Sequence, residues 1–265
     1  MAVDKSQGFI TLVRLGYAAR GVVYILLGYL ALSTRGEARE GASSVFDYLQ
    51  EVPLGNVILW LVALGLLAYA GFKLISAIGD PQRRGSKPKG ILKRVGDGAS
   101  GIAHLFLAYA AFQFAIGGKH AAEGGQSQQM AGTVMDFSVG AFVLGLLGLG
   151  FIVGAFMQAK SAITADFMKH VDGHAPTGVE AVGRAGSAAR AVVFALIGWS
   201  LVQSAWLVQS GKAKGLGEAI LALRAHGVIY TLVAIGLLLF GVFSLVMARY
   251  RVIPDFDKRD LKLKL

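Results

Sequence analysis

The sequence contains no cysteine. That excludes disulfides, thiolate metal sites and a cysteine nucleophile. Proline is scarce as well, five in 265 residues, so most of the chain is free to be helical. Charged residues make up only 16%, against about 25% in an ordinary soluble domain. Hydrophobic residues make up 55%, and the mean hydropathy is +0.59. Little charge and much apolar surface point to a lipid environment. Acidic residues are the scarcer sign, 16 against 26 Lys and Arg, giving a net charge of +10. That charge does not imply a nucleic-acid partner, because the basic residues cluster at the ends of apolar runs, where membrane proteins use them to set orientation. The phosphate-loop, zinc-protease and nucleophile-elbow motifs are missing too. Glycine, by contrast, is abundant: 36 residues. In water each helical glycine costs about 1 kcal/mol relative to Ala, whereas in membrane helices it allows close backbone approach.

Six runs are long enough to span a bilayer, which takes about 20 apolar residues. They cover roughly 12–32, 54–78, 99–118, 137–159, 188–208 and 227–248, and none contains a proline. The first run could be read as a signal peptide, but Arg20 within it and the recurrence of the same segment later argue for a span. The N-terminus, the second and fourth connections and the C-terminus hold 20 of the 26 Lys and Arg, counting those just inside the helix ends. This bias predicts that both termini are cytoplasmic. Trp60, Trp206 and Tyr230 at outer ends, with Tyr17 and Tyr250 at inner ends, suit interfacial belts, while Trp199 falls mid-span.

Three segments align without gaps: Arg14-Leu-Gly-Tyr-Ala-Ala-Arg20-Gly-Val-Val-Tyr24, Arg94-Val-Gly-Asp-Gly-Ala-Ser100-Gly-Ile-Ala-His104 and Arg184-Ala-Gly-Ser-Ala-Ala-Arg190-Ala-Val-Val-Phe194. Each opens the first helix of a pair. The second helices align through Gly65, Gly145 and Gly236. Self-similarity of this kind marks one repeated supersecondary unit. The expected division is 1–80, 81–165 and 166–250 for the three repeats, with a basic cytoplasmic tail at 251–265. A two-span unit returns to its starting side, so the three copies are parallel. The fold class that follows is an all-α membrane protein with six transmembrane helices. A pseudo-threefold bundle is its simplest arrangement, and a linear array is the alternative. The repeated motif resembles the bacterial membrane family catalogued as domain of unknown function 1206. The resemblance covers nearly the whole chain and is weakest in the second copy, where Ser100 replaces Arg and His104 replaces the aromatic. It implies a bacterial inner-membrane location and attaches no activity.

Arg20 and Arg190 are the most informative positions. Each lies about 9 Å into its span, where an unpaired Arg is costly. The plain reading is snorkelling to cytoplasmic headgroups. The functional reading is an anion or headgroup site formed with Tyr24, Ser100 and His104, since the central parts of the predicted spans hold no acidic residue. Lys73, Gln113, Gln158, Gln203 and His226 are the other polar groups in or beside spans, and interhelical hydrogen bonding accounts for them. Asp166, His170 and His174 have i, i+4, i+8 spacing, which places three metal ligands on one face if the segment is helical, but Gly173 interrupts it and Pro176 follows. No metal or other cofactor is expected. Gly150 and Gly154 form a G-x-x-x-G pair suited to helix packing within the bundle or between protomers, so an oligomer is allowed. Arg83, Arg84, Lys87 and Lys89 are placed to meet anionic lipid headgroups. Two functions follow: a non-enzymatic scaffold or lipid-interacting accessory protein, or a channel or transporter for a small solute or anion. An enzyme has the least support, because no span carries a paired acid and base.

Overall fold

A computed structural model describes residues 5–34, 42–80, 85, 87–117 and 126–253. Nine α-helices run through these residues: α1 (Lys5–Thr34), α2 (Ala42–Glu51), α3 (Gly55–Ile78), α4 (Pro88–Ala115), α5 (Gln126–Met135), α6 (Gly140–Thr164), α7 (Val179–Leu207), α8 (Leu216–Ala222) and α9 (Gly227–Tyr250). Among the described residues the one β interaction is an isolated antiparallel bridge between Val171 and Arg251. Six helices, α1, α3, α4, α6, α7 and α9, are long and apolar enough to cross a membrane. Their outward faces carry large apolar side chains such as Leu61, Phe106, Phe142, Phe156 and Leu232. In water these would form aggregating patches, whereas in hydrocarbon they need no cover. The chain is an all-α, six-span membrane protein.

Each connection from an odd to an even span holds a short helix (α2, α5 or α8), so the repeated unit is long–short–long. In α2, Val45, Phe46 and Leu49 share one buried face, and the Phe46 ring lies 5.8 Å from that of Phe114. Gln50 Nε2 donates to the Phe114 carbonyl at 2.6 Å, satisfying an acceptor near the end of α4. The turns into α3 and α6 require glycine, because a Cβ on Gly55 or Gly140 would overlap the carbonyl oxygen of Leu49 or Val134.

This shared turn corrects the register of the second repeat. Setting Gly55 on Gly140 carries Gly65 onto Gly150 and Ser76 onto Ser161, so Gly145 is not the counterpart of Gly65 and Gly236. The run Gly-Leu-Leu-Gly-Leu-Gly within α6 is itself periodic, and it offers a false register.

The order of packing is threefold. The long contacts are α3 with α4, α6 with α7, and α9 with α1, each joining the even span of one repeat to the odd span of the next. Within repeats, α1 packs on α3 and α7 on α9, whereas α4 and α6 do not pack along each other. Five of the six interfaces of a threefold ring are therefore made. The first Arg of the motif fastens two of the long interfaces. Arg94 donates to the carbonyls of Ala77 at 2.8 Å and Ile78 at 2.9 Å, and Arg184 to those of Ala162 at 3.2 Å and Ile163 at 2.5 Å. These are the equivalent ends of α3 and α6, where unpaired carbonyls and the helix dipole favour a cation.

The aromatic belt holds in part. Trp60 and Trp206 are exposed, but Tyr17 and Tyr230 are buried, and the Tyr230 hydroxyl donates to the Ala31 carbonyl at 2.6 Å.

Close approach is the testable feature. A Cβ on Gly28 would lie 2.8 Å from the Ala234 carbonyl oxygen, whereas Gly71 has nothing within 4 Å. Gly28→Leu should lose about 1–3 kcal/mol of stability, or fail to fold. Gly71→Leu should lose nothing and gain up to about 1 kcal/mol. Thermal unfolding in detergent, followed by circular dichroism, measures both.

Candidate functional site

The site begins with a close helix contact. A Cβ on Gly16 of α1 would lie 2.8 Å from the Tyr69 Cα of α3, so the two backbones meet where only glycine fits. Gly186 stands in the same relation to Phe240, with a Cβ 2.7 Å from its Cα. These contacts bring Arg20 to Tyr69 and its counterpart Arg190 to Phe240.

Arg20 is 8% exposed. Its guanidinium donates to the Tyr69 hydroxyl, and its Nε to Ser244 Oγ at 3.2 Å. It lies over the rings of Tyr17 at 4.7 Å, Tyr69 at 4.8 Å and Phe240 at 5.0 Å. Snorkelling to the surface is therefore not its arrangement, because hydroxyls and ring faces hold it inside the bundle.

Arg190 lies over Phe240 at 4.4 Å, Phe194 at 4.8 Å and Tyr24 at 5.8 Å. Phe240 has no hydroxyl to offer in the place of Tyr69, and Arg190 Nε is buried without a hydrogen-bond partner. Tyr24 stacks edge-on against Phe240, with centroids 4.9 Å apart. Thus Arg20, Tyr24 and Arg190 meet around the Phe240 ring.

Ser100 and His104 approach from α4. His104 Nδ1 lies 2.7 Å from the Ser100 carbonyl, which can only accept, so Nδ1 carries the proton. The ring packs 4.6 Å from that of Tyr69, and its Nε2 is buried without a partner. Ser100 joins the group through that carbonyl.

Four residues complete the cluster. Lys73 Nζ lies 5.7 Å from the Tyr69 ring centroid and pairs with Asp97 Oδ1 at 2.7 Å. Ser244 Oγ donates to the Phe240 carbonyl at 2.8 Å as it receives Arg20. Arg251 lies over Tyr17 at 5.2 Å and Phe72 at 5.8 Å, with Nε buried and unpartnered. It is held there because residues 250–252 pair with 170–172: Val252 N–H donates to His170 O at 2.9 Å, and Asp172 N–H to Tyr250 O at 2.8 Å. Four cations, Arg20, Lys73, Arg190 and Arg251, thus gather around aromatic rings, with Asp97 as the carboxylate among them.

Of the added residues, Lys73 was visible as a polar group in a span, and a span lysine calls for a counter-charge. Asp97 lay just outside the predicted start of the third span. Its helix begins at Pro88, because Lys93, Arg94 and Asp97 lower the local hydropathy without ending the helix. An acidic residue therefore does sit inside a spanning helix. Nothing in the sequence brought Arg251 out of the basic tail.

The other candidates do not join. Asp166–His170 form a short 3-10 helix that ends at Val171, so His174 shares no helical face with them. Asp166 is paired with Lys169 at 2.6 Å and Asp172 with His174 at 2.7 Å, and each partner holds the carboxyl below its ordinary pKa. Among the described residues no group of three metal-ligating side chains forms. Lys87 is exposed just before α4. Arg83 and Arg84 lie outside the described residues, as does the side chain of Lys89.

Removing one member of the Lys73–Asp97 pair leaves the other charge buried. Asp97→Ala should cost about 3 kcal/mol, and Lys73→Met with Asp97→Leu should recover most of it. Tyr69→Phe should cost about 1 kcal/mol by depriving Arg20 of one of its two acceptors. Denaturant unfolding in micelles gives all three values.

Comparison with known proteins places the chain. The family described as Domain of Unknown Function (DUF1206) matches it three times, over residues 15–80, 95–165 and 185–251. The uncharacterized protein YxxB of Bacillus subtilis (strain 168) is 33% identical over 250 residues, covering 90% of each chain. No solved structure matches. Three matches that take in all six spans make this chain a member of the DUF1206 family.

Proposed function

We propose that this chain is a non-enzymatic, lipid-interacting protein of the bacterial inner membrane, with both termini in the cytoplasm, that binds an anionic phospholipid headgroup at the Arg20–Arg190 cluster. One observation carries this reading. Four buried or half-buried cations share one carboxylate, and the Nε atoms of Arg190 and Arg251 are buried without acceptors. A donor left unpaired in a dry site costs about 1–3 kcal/mol, more when charged, and a phosphate offers the missing acceptors. Lipid headgroups supply phosphate at the membrane surface, on the side where Arg251 follows the end of α9.

The test is native mass spectrometry of protein released from nanodiscs containing phosphatidylglycerol and phosphatidylcholine. Phosphatidylglycerol should be retained, and Arg190→Ala with Arg251→Ala should reduce its occupancy at least fivefold. Equal retention of the two lipids, or no change in the variant, would overturn the reading.

The convergence of Arg20 and Arg190 on one ring also favours a second reading, a transporter of a small anion. It requires anion flux in liposomes that Arg20→Ala and Arg190→Ala abolish. No flux from the wild type removes it.

A further inference from the structure

The second repeat keeps an interface that it does not use. In the first repeat, Gly16, Ala19 and Gly65 bring α1 and α3 together: a Cβ on Gly65 would lie 2.5 Å from the Ala19 Cβ. In the third repeat Gly186, Ala189 and Gly236 do the same for α7 and α9. The corresponding residues of the second repeat are Gly96, Ala99 and Gly150, small at every position. Yet Gly96 and Gly150 have nothing within 4 Å, and all three are exposed. Glycine in an exposed helix interior is unfavourable by about 1 kcal/mol, and contact with a neighbouring helix is what offsets it in the other two repeats.

The bulk that fills the other interfaces is also gone. Ser100 replaces Arg20 and Gly154 replaces Tyr69, so the cation and the ring that fill the other two interfaces are absent, and closure leaves room between α4 and α6. Two buried nitrogens without partners stand on α4 and on α7, the helix packed against α6. On the α4 side is His104 Nε2, an acceptor because Nδ1 holds the proton. On the α6 side, Phe151 stacks on Phe194 at 5.4 Å, and Phe194 lies under Arg190, whose Nε is a donor. His104 is within electrostatic range of Arg190.

We infer that α4 and α6 form a lateral gate, which closes as the other two repeats do and parts to admit an anionic, hydroxyl-bearing lipid headgroup from the bilayer. The phosphate accepts from Arg190 Nε, and a headgroup hydroxyl donates to His104 Nε2. This inference rests on the lipid-binding reading for its ligand and is independent of it for the motion.

The natural absence of cysteine gives a clean test. Ala99→Cys with Gly150→Cys places thiols that can bond only if α4 and α6 approach to disulfide distance, a Cβ separation of about 3.5–4.5 Å. Ala19→Cys with Gly65→Cys is the closed control. In nanodiscs the 99/150 pair should form an intramolecular bond under mild oxidation, and exchange of bound phosphatidylglycerol should then slow at least tenfold and recover on reduction. Should the control fold poorly, spin labels at the exposed Leu105 and Val153 should report two distances across the seam in the otherwise unaltered chain. An intermolecular bond, no bond together with a single spin-label distance, or a bond that leaves exchange unchanged would each overturn the gate. The first two outcomes leave the lipid-binding reading standing. Failure to retain phosphatidylglycerol, with the bond still forming, sinks that reading instead.

Discussion

Two spans of one repeat come closest where one of them carries no side chain, and that steric condition governs much of the molecule. At Gly16 the backbone of α1 meets the backbone of α3 at Tyr69, and at Gly186 α7 meets α9 at Phe240. In lipid no hydrophobic force drives such contacts, so dispersion between closely fitted backbones must do it. The same approach fixes the chemistry. Arg20 follows Gly16 by one turn, so its guanidinium is delivered onto Tyr69. A helix separation larger by one methyl group would draw Tyr69 away from that cation and leave it Ser244 alone as acceptor.

The threefold plan then works through substitution rather than through new elements. One motif position serves two of the copies as a fastener: Arg94 and Arg184 bind the carbonyl ends of α3 and α6. The next Arg position diverges. With Tyr69 and Ser244 as acceptors, Arg20 is a satisfied structural cation. With Phe240 in the hydroxyl's place, Arg190 keeps ring faces and the Tyr24 hydroxyl and leaves its Nε without an acceptor. With Ser100 and Gly154, the second repeat has neither cation nor ring. Three copies of one locus thus supply a satisfied cation, a cation with an open donor and a gap.

The spans were legible because a run of about 20 apolar residues is a strong signal that no soluble element imitates. The repeat was legible in the odd helices, where Arg, Gly and Ala recur at fixed spacing. In the even helices it failed at α6, because a run of Leu and Gly aligns with itself at several registers. Only the turn at Gly140 breaks that degeneracy. The short helices were hidden because their apolar faces are three or four residues wide, too few to register against 20-residue neighbours. Arg20 and Arg190 were found by their cost in lipid. Their partners were not, because Tyr69, Ser244 and Phe240 are ordinary residues for a membrane helix. Arg251 was placed by backbone pairing between residues 250–252 and 170–172, a long-range contact with no local signature.

The two interfaces that bury charge resolve the cost in opposite senses, and the difference bears on which group is free to bind. Between α9 and α1 the cation stands on the odd helix, and a serine hydroxyl receives it. Between α3 and α4 the cation is Lys73 on the even helix, at the position of Ser244, and the acceptor is a full carboxylate. A lysine has a compact, strongly hydrated charge and needs a paired ion to remain in a dry site, whereas the guanidinium spreads its charge and can rest on ring faces. Asp97 is thus committed to the residue least able to do without it. The arginines are left with neutral partners, and neutral partners do not cancel charge. The field within the cluster stays positive by construction, and an anion entering it meets donors already desolvated and held in place by aromatic rings.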